Sequence, residues 1–372
     1  MQNKLLKAAL ALAVASCVPF GAAADNGNHG MNAHQGPVLK VALWGDEFYS
    51  DDPNAKADQI GQTIDSMNAH HLDFTLFAGD TKNGSSECTD QAIGQNVIDI
   101  FNRIDAPTLY SLGDNEWTDC HRSNNGSYDP LERLAYLRQT FFNKSTTQGG
   151  HHPVPVLRQG TLGGAYSENS RFVKSDVEFV ALHIPGSNNN LVSSESLCTK
   201  KTGRAGRTWD SVNDVATGEC AAASDEYEAR NTANLAWLQE SFAEARDKNY
   251  AGIVIVIQAD IYFPFELSDG GYEGDFLPSL DDKNGYTDFF NHLAAETSTF
   301  DGQVLLVHGD SHYFKMDKAM LLNVDGNPDT EEPLMPNFTR VEVLGNVDNS
   351  WVLMTVDPRS ENVFSFEPVV LH

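Results

Sequence analysis

The sequence predicts an α/β protein in which a mixed β-sheet, or two β-sheets packed face to face, is flanked by helices. Three observations support this fold. Apolar segments of strand length alternate with helical segments early in the 372-residue chain, as in βαβ units with parallel strands. Turn residues separate the last β-rich segments, as in antiparallel pairs. Four strands end on a Gly-Asp pair, at Gly45-Asp46, Gly79-Asp80, Gly113-Asp114 and Gly309-Asp310.

The predicted elements alternate along the chain. The first strands are 39–44, 73–78 and 107–112, followed by helices near 55–70, 90–104 and 130–142. Later elements are a strand at 177–184, a polar insertion at 186–222, an amphipathic helix near 226–247 and strands at 252–258, 303–308, 338–345 and 350–356. The last two strands are expected to form an antiparallel pair, because Gly345-Asn346 and Asp348-Asn349 are typical turn residues.

The N-terminal residues predict export. Residues 1–24 combine a basic start, an apolar run and a small-residue cleavage site, which are the parts of a secretory signal peptide. Residues 25–37 form a predicted flexible leader, and residues 38–372 a single domain with its insertion around 186–222. We therefore expect a secreted or periplasmic protein. The segment ending at Cys17 is also typical of a bacterial lipobox, so a lipid anchor on Cys17 is the alternative.

The charge of the chain limits its partners. The net charge is −27, and removal of the two lysines in the predicted signal peptide makes it −29. Duplex nucleic acids bind clustered Lys and Arg, and the sequence has no basic stripe, so such a partner is not expected. A small anionic substrate is compatible with this charge if metal ions supply positive charge locally. No segment after the signal is long and apolar enough for a transmembrane helix.

Four cysteines remain after the predicted signal peptide, an even number that indicates two disulfides in an exported chain. Cys88 and Cys120 each follow a Gly-Asp strand end, so their loops are expected to be neighbours. Cys198 and Cys220 bracket a polar excursion. We therefore expect the pairs 88–120 and 198–220. A zinc site is disfavoured, because no CxxC spacing is present.

The four Gly-Asp pairs indicate a metal site. A glycine at a strand end allows a sharp turn and leaves the next carboxylate at the carboxyl edge of the sheet, where open α/β sheets bind ligands. One such pair is usually only a turn, but four in register are a stronger signal. Converging carboxylates repel one another unless protons or a bound cation neutralise them.

The same segments, in this order, resemble the calcineurin-like metallophosphoesterases. That family carries Asp-x-His, Gly-Asp-x-x-Asp, Gly-Asn-His-Asp/Glu, a single His and Gly-His-x-His on its strand ends. The corresponding segments here are Asp46-Glu47-Phe48, Gly79-Asp80-Thr81-Lys82-Asn83, Gly113-Asp114-Asn115-Glu116, Gln258 and Gly309-Asp310-Ser311-His312. The resemblance covers nearly the whole mature chain and implies the family's sandwich of two β-sheets flanked by helices.

The resemblance implies two divalent metal ions. Asp46 and His312 are the implied ligands of the first ion, and Asp80 bridges both. Asp114, Gln258 and Asp310 are the implied ligands of the second ion, where the family has Asn, His and His. Phe48 stands where the family has another first-site histidine. Oxygen ligands favour Mn²⁺, Mg²⁺ or Ca²⁺ over Zn²⁺ or Fe.

The resemblance also implies catalytic and substrate residues. Asn115 stands at the position of the histidine that protonates the leaving group, and an amide cannot do so at neutral pH. His121 and His308 are alternative catalytic residues. The implied substrate-binding residues are Lys82 and Arg122, for phosphate oxygens, and Trp117, as a pocket wall. The polar segment 183–190 either reaches the rim of this site or forms an ordinary turn.

These residues predict an exported metal-dependent phosphoesterase that hydrolyses a small phosphate mono- or diester by a metal-bound hydroxide. The alternative is a degenerate member of the fold that binds a divalent metal and a small anionic ligand without turnover. A serine esterase that uses Ser311 in a Gly-Asp-Ser block is disfavoured, because that block comes late in the chain and no Asp-x-x-His pair follows it.

Overall fold

Two β-sheets pack face to face, and helices cover the outer face of each. The structure is a computed structural model that describes residues 34–50, 52–201, 207–262, 284–320, 334–345 and 350–371. The described strands are, in chain order, β1 (Leu39–Trp44), β2 (Phe74–Phe77), β3 (Thr108–Tyr110), β4 (Leu157–Arg158), β5 (Ser170–Lys174), β6 (Val177–Ala181), β7 (Arg207–Asp210), β8 (Val215–Thr217), β9 (Gly252–Val256), β10 (Gln303–His308), β11 (Lys315–Asp317), β12 (Phe338–Glu342), β13 (Ser350–Val356) and β14 (Phe364–Val370).

The helices connect these strands. In chain order they are α1 (Pro53–Ala69), α2 (Asn96–Arg103), α3 (Pro130–Phe141), the four-residue α4 (Gly186–Asn189), α5 (Glu195–Lys201), α6 (Gly218–Lys248) and α7 (Thr287–Ser298). Both α1 and α3 begin at an Asp-Pro pair. Asp52 and Asp129 each accept a hydrogen bond from a backbone N–H of the first turn at 2.9 Å, and the proline occupies a position where no N–H is needed.

The first sheet has the order β14-β13-β1-β2-β3 and the second β11-β12-β10-β9-β6-β5-β4. The pairs β1–β2, β2–β3, β6–β9, β9–β10 and β10–β12 are parallel, and antiparallel strands extend both sheets. The parallel strands therefore deliver the residues that follow them to one edge of each sheet. The strands β7 and β8 form a separate hairpin within the predicted insertion.

The apolar core has three layers. Between the sheets, Val41 and Leu76 of the first sheet pack with Val254 and Leu305 of the second. Alternate residues of the same strands face outward, as the two-residue period of a strand requires. Trp44 is one of these, and it packs with apolar residues of α1, α2 and α3. The outer face of the second sheet packs in the same way against α6 and α7. The predicted mixed α/β sandwich of two sheets flanked by helices is confirmed.

The predicted pairing of strands 338–345 and 350–356 is wrong. β12 lies in the second sheet, parallel to β10, with Phe338 opposite Val304. β13 lies in the first sheet, antiparallel to β1, with Val356 opposite Leu39. The chain therefore passes from the second sheet to the first between β12 and β13. Turn residues in a sequence indicate that the chain changes direction. They do not indicate which strand each neighbouring strand pairs with.

Cys88 is bonded to Cys120, and Cys198 to Cys220, which is the pairing expected from the sequence. All four cysteines are buried. The first disulfide joins the loop after β2 to the loop after β3. The second joins α5 to the first turn of α6 and closes the insertion.

The predicted signal peptide, Cys17 and residues 25–33 of the predicted leader lie outside the described residues. Among the described helices, none has the length and apolar character that crossing a membrane requires. The described residues from His34 onward form one compact unit.

Candidate metal centre

Three carboxylates lie close together at the edge where strands of both sheets end. Asp80 follows β2, Asp114 follows β3 and Asp310 follows β10, and their oxygen atoms lie within 4.8 Å of one another. We call these three residues the carboxylate cluster. Asp80 and Asp114 are buried and Asp310 is half-buried. The cluster therefore combines residues from both sheets, and three of the four Gly-Asp carboxylates that were expected to converge belong to it.

The glycines of two Gly-Asp pairs make room for other aspartates of the site. A Cβ atom at Gly113 would collide with the carboxylate of Asp80, and one at Gly309 with that of Asp46. Asp46, Asp80 and Asp310 have φ angles of 53°, 60° and 80°, in the left-handed region that aspartate tolerates better than most residues. The Gly-Asp pairs are thus needed for the close approach of the strand ends.

Asp46 follows β1 and links the cluster to His312. Its Oδ2 accepts a hydrogen bond from the backbone N–H of Asp310 at 3.0 Å, and its Oδ1 lies 3.5 Å from His312 Nε2. Burial acts to lower the pKa of His312, but the hydrogen bond to Asp46 and the charge of Asp46 raise it above the ordinary value. The structure therefore brings Asp46 and His312, the predicted ligands of the first ion, next to each other.

Asp80 is held by Asn115 and Tyr49. Its Oδ1 accepts a hydrogen bond from the backbone N–H of Asn115 at 3.1 Å, and its Oδ2 accepts one from Asn115 Nδ2 at 2.7 Å. The Tyr49 hydroxyl donates to the same Oδ2 at 3.1 Å. Asn115, which stands at the family's proton-donor position, therefore orients a carboxylate. Tyr49 was not predicted from the sequence, because nothing except its position three residues after Asp46 distinguishes it.

The electrostatics of the cluster fit a bound cation. Burial, followed by the charges of Asp114 and Asp46, raises the pKa of both Asp80 and Asp310 well above the ordinary value. Burial and the charge of Asp119 raise the pKa of Asp114 to about 7. Ionised carboxylates this close are stable only with a compensating positive charge. Because all three donors are oxygens, the site fits Mg²⁺, Mn²⁺ or Ca²⁺.

These pKa shifts predict how stability depends on pH. The pKa of Asp114 in the folded protein, about 7, lies above its ordinary value of 3.8. Its protonation therefore stabilises the metal-free protein at low pH, and this contribution is lost as the pH rises through about 7. We expect the melting temperature in EDTA to fall between pH 5 and pH 8, and the increase caused by Mn²⁺ to grow over the same range, because the ion binds ionised carboxylates.

The control for this prediction is Asp114→Asn, in which both pH effects should be smaller. A wild-type melting temperature in EDTA that has the same pH dependence as that of the variant would contradict the assignment.

Two positions that carry a metal-binding histidine in the resembled family offer no free ligand atom here. Gln258 Oε1 accepts a hydrogen bond from the backbone N–H of Gly186 at 2.5 Å, so the oxygen predicted to bind metal already has a partner. Phe48 is buried, and its ring lies 6.2 Å from that of Trp44 in the core that covers the first sheet. We therefore leave Gln258 out of the proposed ligands.

Two predicted substrate-binding residues are too buried for that role. Trp117 has no exposed surface, and its ring packs 5.1 Å from that of His183, so it is a core residue. Lys82 is 2% exposed, and its Nζ donates to the Asn83 carbonyl at 3.1 Å. Burial lowers the pKa of Lys82, against the opposing effect of Glu116 and Asp80. Lys82 thus compensates internal charge and does not face solvent.

Arg122 is partly exposed and lies near Asn115. Its side chain is 42% exposed, and Nη2 contacts Asp119 at 2.7 Å. A Cβ at Gly84 would lie 3.0 Å from Asn115 Oδ1 and 3.5 Å from Arg122 Nη1, so both side chains flank Gly84. Arg122 is therefore placed to contact an anion that approaches the Asp80 side of the cluster.

The two histidines predicted as alternative acids occupy other surroundings. His121 Nδ1 hydrogen-bonds with the Thr118 carbonyl at 2.6 Å, and its side chain lines a small cavity with Asp129 and Glu219. No residue of the carboxylate cluster lines that cavity. His308 is fully buried, its Nδ1 lies 3.1 Å from the Gly309 carbonyl oxygen, and burial lowers its pKa. These positions do not support a role for either histidine as a proton donor to a substrate.

The backbone of α4 closes one side of the cluster. A Cβ at Gly186 would lie 2.7 Å from Asp310 Oδ2 and 2.9 Å from Asp114 Oδ2. The neighbouring Ser187 Oγ donates to Asp119 Oδ1 at 2.8 Å. The segment 183–190 therefore reaches the site itself, which is the first of its two sequence-based interpretations. The sequence signal for this contact was a glycine followed by polar residues directly after a strand.

Four consecutive residues next to Gly186 have left-handed backbone, so α4 is not a regular right-handed helix. The φ angles of Ser187, Asn188, Asn189 and Asn190 are 52°, 56°, 53° and 64°. We call these residues the left-handed turn. This conformation costs a non-glycine residue roughly 1–2 kcal/mol, although asparagine tolerates it better than most. Such backbone persists only when the surrounding structure holds it in place, and it is often found at functional sites.

Comparison of the chain with protein-family models and with curated protein sequences finds no match. Solved structures that are similar over most of the chain include the following two. One is GAP50, the anchor in the inner membrane complex of Plasmodium, with 11% identity and a TM-score of 0.44 over 90% of this chain and 89% of that one. The other is a 5'-nucleotidase from Candida albicans, with 13% identity and a TM-score of 0.34 over 88% of this chain. The chain spans 50% of the nucleotidase. Likenesses of this size do not indicate an activity.

Proposed function

We propose that the protein is a divalent-metal-dependent phosphoesterase that acts outside the cytoplasm on a small phosphate ester. The observation that carries this proposal is the convergence of Asp80, Asp114 and Asp310 from three strand ends. The order of the Gly-Asp segments, which resembles that of the calcineurin-like metallophosphoesterases, supports the reaction class. The two disulfides are consistent with an oxidising compartment.

The carboxylate cluster would hold one divalent ion. Asp46 and His312 stay the predicted ligands of a second ion beside it, since Asp46 is hydrogen-bonded to Asp310 and lies 3.5 Å from His312. A bound divalent ion supplies Lewis-acid polarisation of a phosphoryl oxygen and makes water a better nucleophile near neutral pH. Asn115 keeps both oxygens of Asp80 in a fixed orientation for this role.

The exposed guanidinium of Arg122 is the proposed phosphate contact. Guanidinium groups bind phosphate oxygens through paired N–H donors, and this one is already oriented by Asp119. The Asn115 amide, at the position where the resemblance places the proton donor, donates to Asp80 and is not acidic, and we assign His312 to the metal, so this proposal includes no proton donor for the leaving group. The leaving oxygen must then depart largely unprotonated.

The rate of hydrolysis should therefore depend steeply on the pKa of the leaving group. With Mn²⁺ or Mg²⁺ bound, we expect aryl phosphates to react at least roughly 10²-fold faster than alkyl phosphates, which is the usual contribution of a general acid. Initial rates over a series of mono- and diesters measure this dependence. Asp310→Asn, prepared in parallel, shows whether the activity belongs to the carboxylate cluster. Similar rates on aryl and alkyl esters would reveal a proton donor that this site description lacks.

A second candidate function is metal binding without turnover. Two observations favour it. Phe48 stands where the resembled family has a ligand histidine, and it is buried in the core. Asn115 and Tyr49 both donate hydrogen bonds to Asp80. Stoichiometric metal binding together with no hydrolysis of any activated ester would establish this function in place of the phosphoesterase.

A further inference from the structure

We infer that Arg230 is a positioning residue that sets the cation preference of the carboxylate cluster by holding the left-handed turn against it. This inference rests on the metal site of the proposed function. Arg230 lies on α6, does not touch a carboxylate of the cluster in the described structure, and was not singled out by the sequence.

Arg230 donates hydrogen bonds to one residue before the left-handed turn and to one residue within it. Its side chain is fully buried. Nη1 donates to the carbonyl of His183, before the turn, at 2.9 Å, and to Asn189 Oδ1, within it, at 2.5 Å. Nη2 donates to the Asn189 carbonyl at 2.8 Å. Glu226, one helical turn earlier on α6, accepts from Arg230 Nε at 2.7 Å and fixes the orientation of the guanidinium.

Residues at the start of α7 hold the same turn from another direction. The Tyr286 hydroxyl donates to the Pro185 carbonyl at 3.2 Å and accepts from the Asn189 backbone N–H at 3.2 Å. Gly285 N–H donates to Asn188 Oδ1 at 2.8 Å. The turn is therefore fixed by two separate elements, which explains how four consecutive left-handed residues are maintained.

The left-handed turn limits the space beside the carboxylate cluster. Gly186, directly before it, lies so close to Asp310 and Asp114 that a single added carbon would be 2.7 Å and 2.9 Å from their oxygens. These carboxylates cannot move apart on that side unless the turn moves. Mg²⁺ takes oxygen ligands at about 2.0–2.1 Å and Ca²⁺ at about 2.3–2.6 Å with a larger coordination number. A turn that resists expansion therefore favours Mg²⁺ and Mn²⁺ over Ca²⁺.

The experiment compares dissociation constants for Mg²⁺, Mn²⁺ and Ca²⁺, measured by calorimetry on the whole folded protein. Arg230→Lys keeps the positive charge but cannot reproduce the planar set of donors. Tyr286→Phe removes the second support and is the smaller perturbation. In both variants we expect the affinity for Mg²⁺ and Mn²⁺ to fall relative to that for Ca²⁺ by roughly 10-fold, the lower end of effects seen when residues behind metal ligands are changed.

The matched control is Arg158→Lys. Arg158 is also a buried arginine that donates to backbone carbonyls, but these belong to Lys144, Thr146 and Ser167, outside the turn. A general loss of stability would lower all affinities in all variants and leave the Mg²⁺ to Ca²⁺ ratio unchanged.

A ratio that shifts in Tyr286→Phe, and in Arg230→Lys if that variant folds, but not in Arg158→Lys, supports the inference. A wild-type ratio in folded Arg230→Lys, or in Tyr286→Phe if Arg230→Lys does not fold, overturns it, while the metal site itself stands. A wild-type protein that binds none of the three ions overturns both the metal site and this inference.

Discussion

Asp80→Asn is expected to abolish metal-dependent hydrolysis, with a fall in kcat/KM of at least roughly 10³-fold. The substitution keeps the shape of the side chain but removes one negative charge from a cluster whose other members lie within 4.8 Å. It also puts an amide where Asn115 and Tyr49 donate hydrogen bonds. The metal-free variant should nevertheless melt at or above the wild-type temperature at pH 8, because carboxylate repulsion is reduced.

Asp73→Asn is the control for that experiment. Asp73 lies at the other end of β2, half-exposed, and pairs with Lys174 at 3.1 Å. Its replacement should leave kcat/KM and metal affinity unchanged. Hydrolysis that survives in Asp80→Asn would mean that the carboxylate cluster is not the site of reaction.

Gly186→Ala is expected to weaken metal binding by at least roughly 10²-fold, the upper end of effects from residues that support metal ligands. The φ angle of Gly186 is not left-handed, so alanine meets no backbone penalty there. The cost comes from contact, because the new methyl group would lie 2.7 Å from Asp310 Oδ2 and 2.9 Å from Asp114 Oδ2. Calorimetric titration with Mn²⁺, alongside a thermal melt, separates loss of the site from loss of the fold.

Gly61→Ala provides the comparison. Gly61 lies in α1, and a Cβ there meets nothing within 4 Å. Because alanine is the better helix former, this variant should keep wild-type metal affinity and gain slight stability. Equal Mn²⁺ affinity in Gly186→Ala and Gly61→Ala would show that α4 does not border the binding site.

Much of the fold was predictable because its signals are local. The strand beginning at Leu39 was predicted with its observed bounds, since an apolar run interrupted only by Lys40 and followed by Gly-Asp marks both its burial and its end. The partner of β13 was not predictable in this way. Pairing depends on which distant strand covers an apolar face, and the turn residues before Ser350 carry no information about it.

The candidate site was also predictable only in part. The acidic strand ends were predicted as neighbours because parallel strands share one edge of a sheet, and the structure places Asp80, Asp114 and Asp310 together. The burial of Trp117 and Lys82, which the sequence analysis placed in the substrate site, was not predictable because burial is a property of the assembled protein. The contacts of Gly186 with Asp310 and Asp114 were not predictable, because they depend on how the start of the insertion folds back onto the strand ends.

The disulfide between Cys88 and Cys120 has a consequence for where the protein acquires its metal. Its sulfur atoms lie 3.6 Å and 3.7 Å from the carbonyl oxygen of Asn115, the residue that orients Asp80. In a reducing cytoplasm this bond is absent, and the support behind Asp80 is weaker. We therefore expect the reduced chain to take up Mn²⁺ less tightly than the oxidised chain, which titrations before and after mild reduction would measure. Under the proposed export, the protein would take up its metal most tightly after this disulfide has formed.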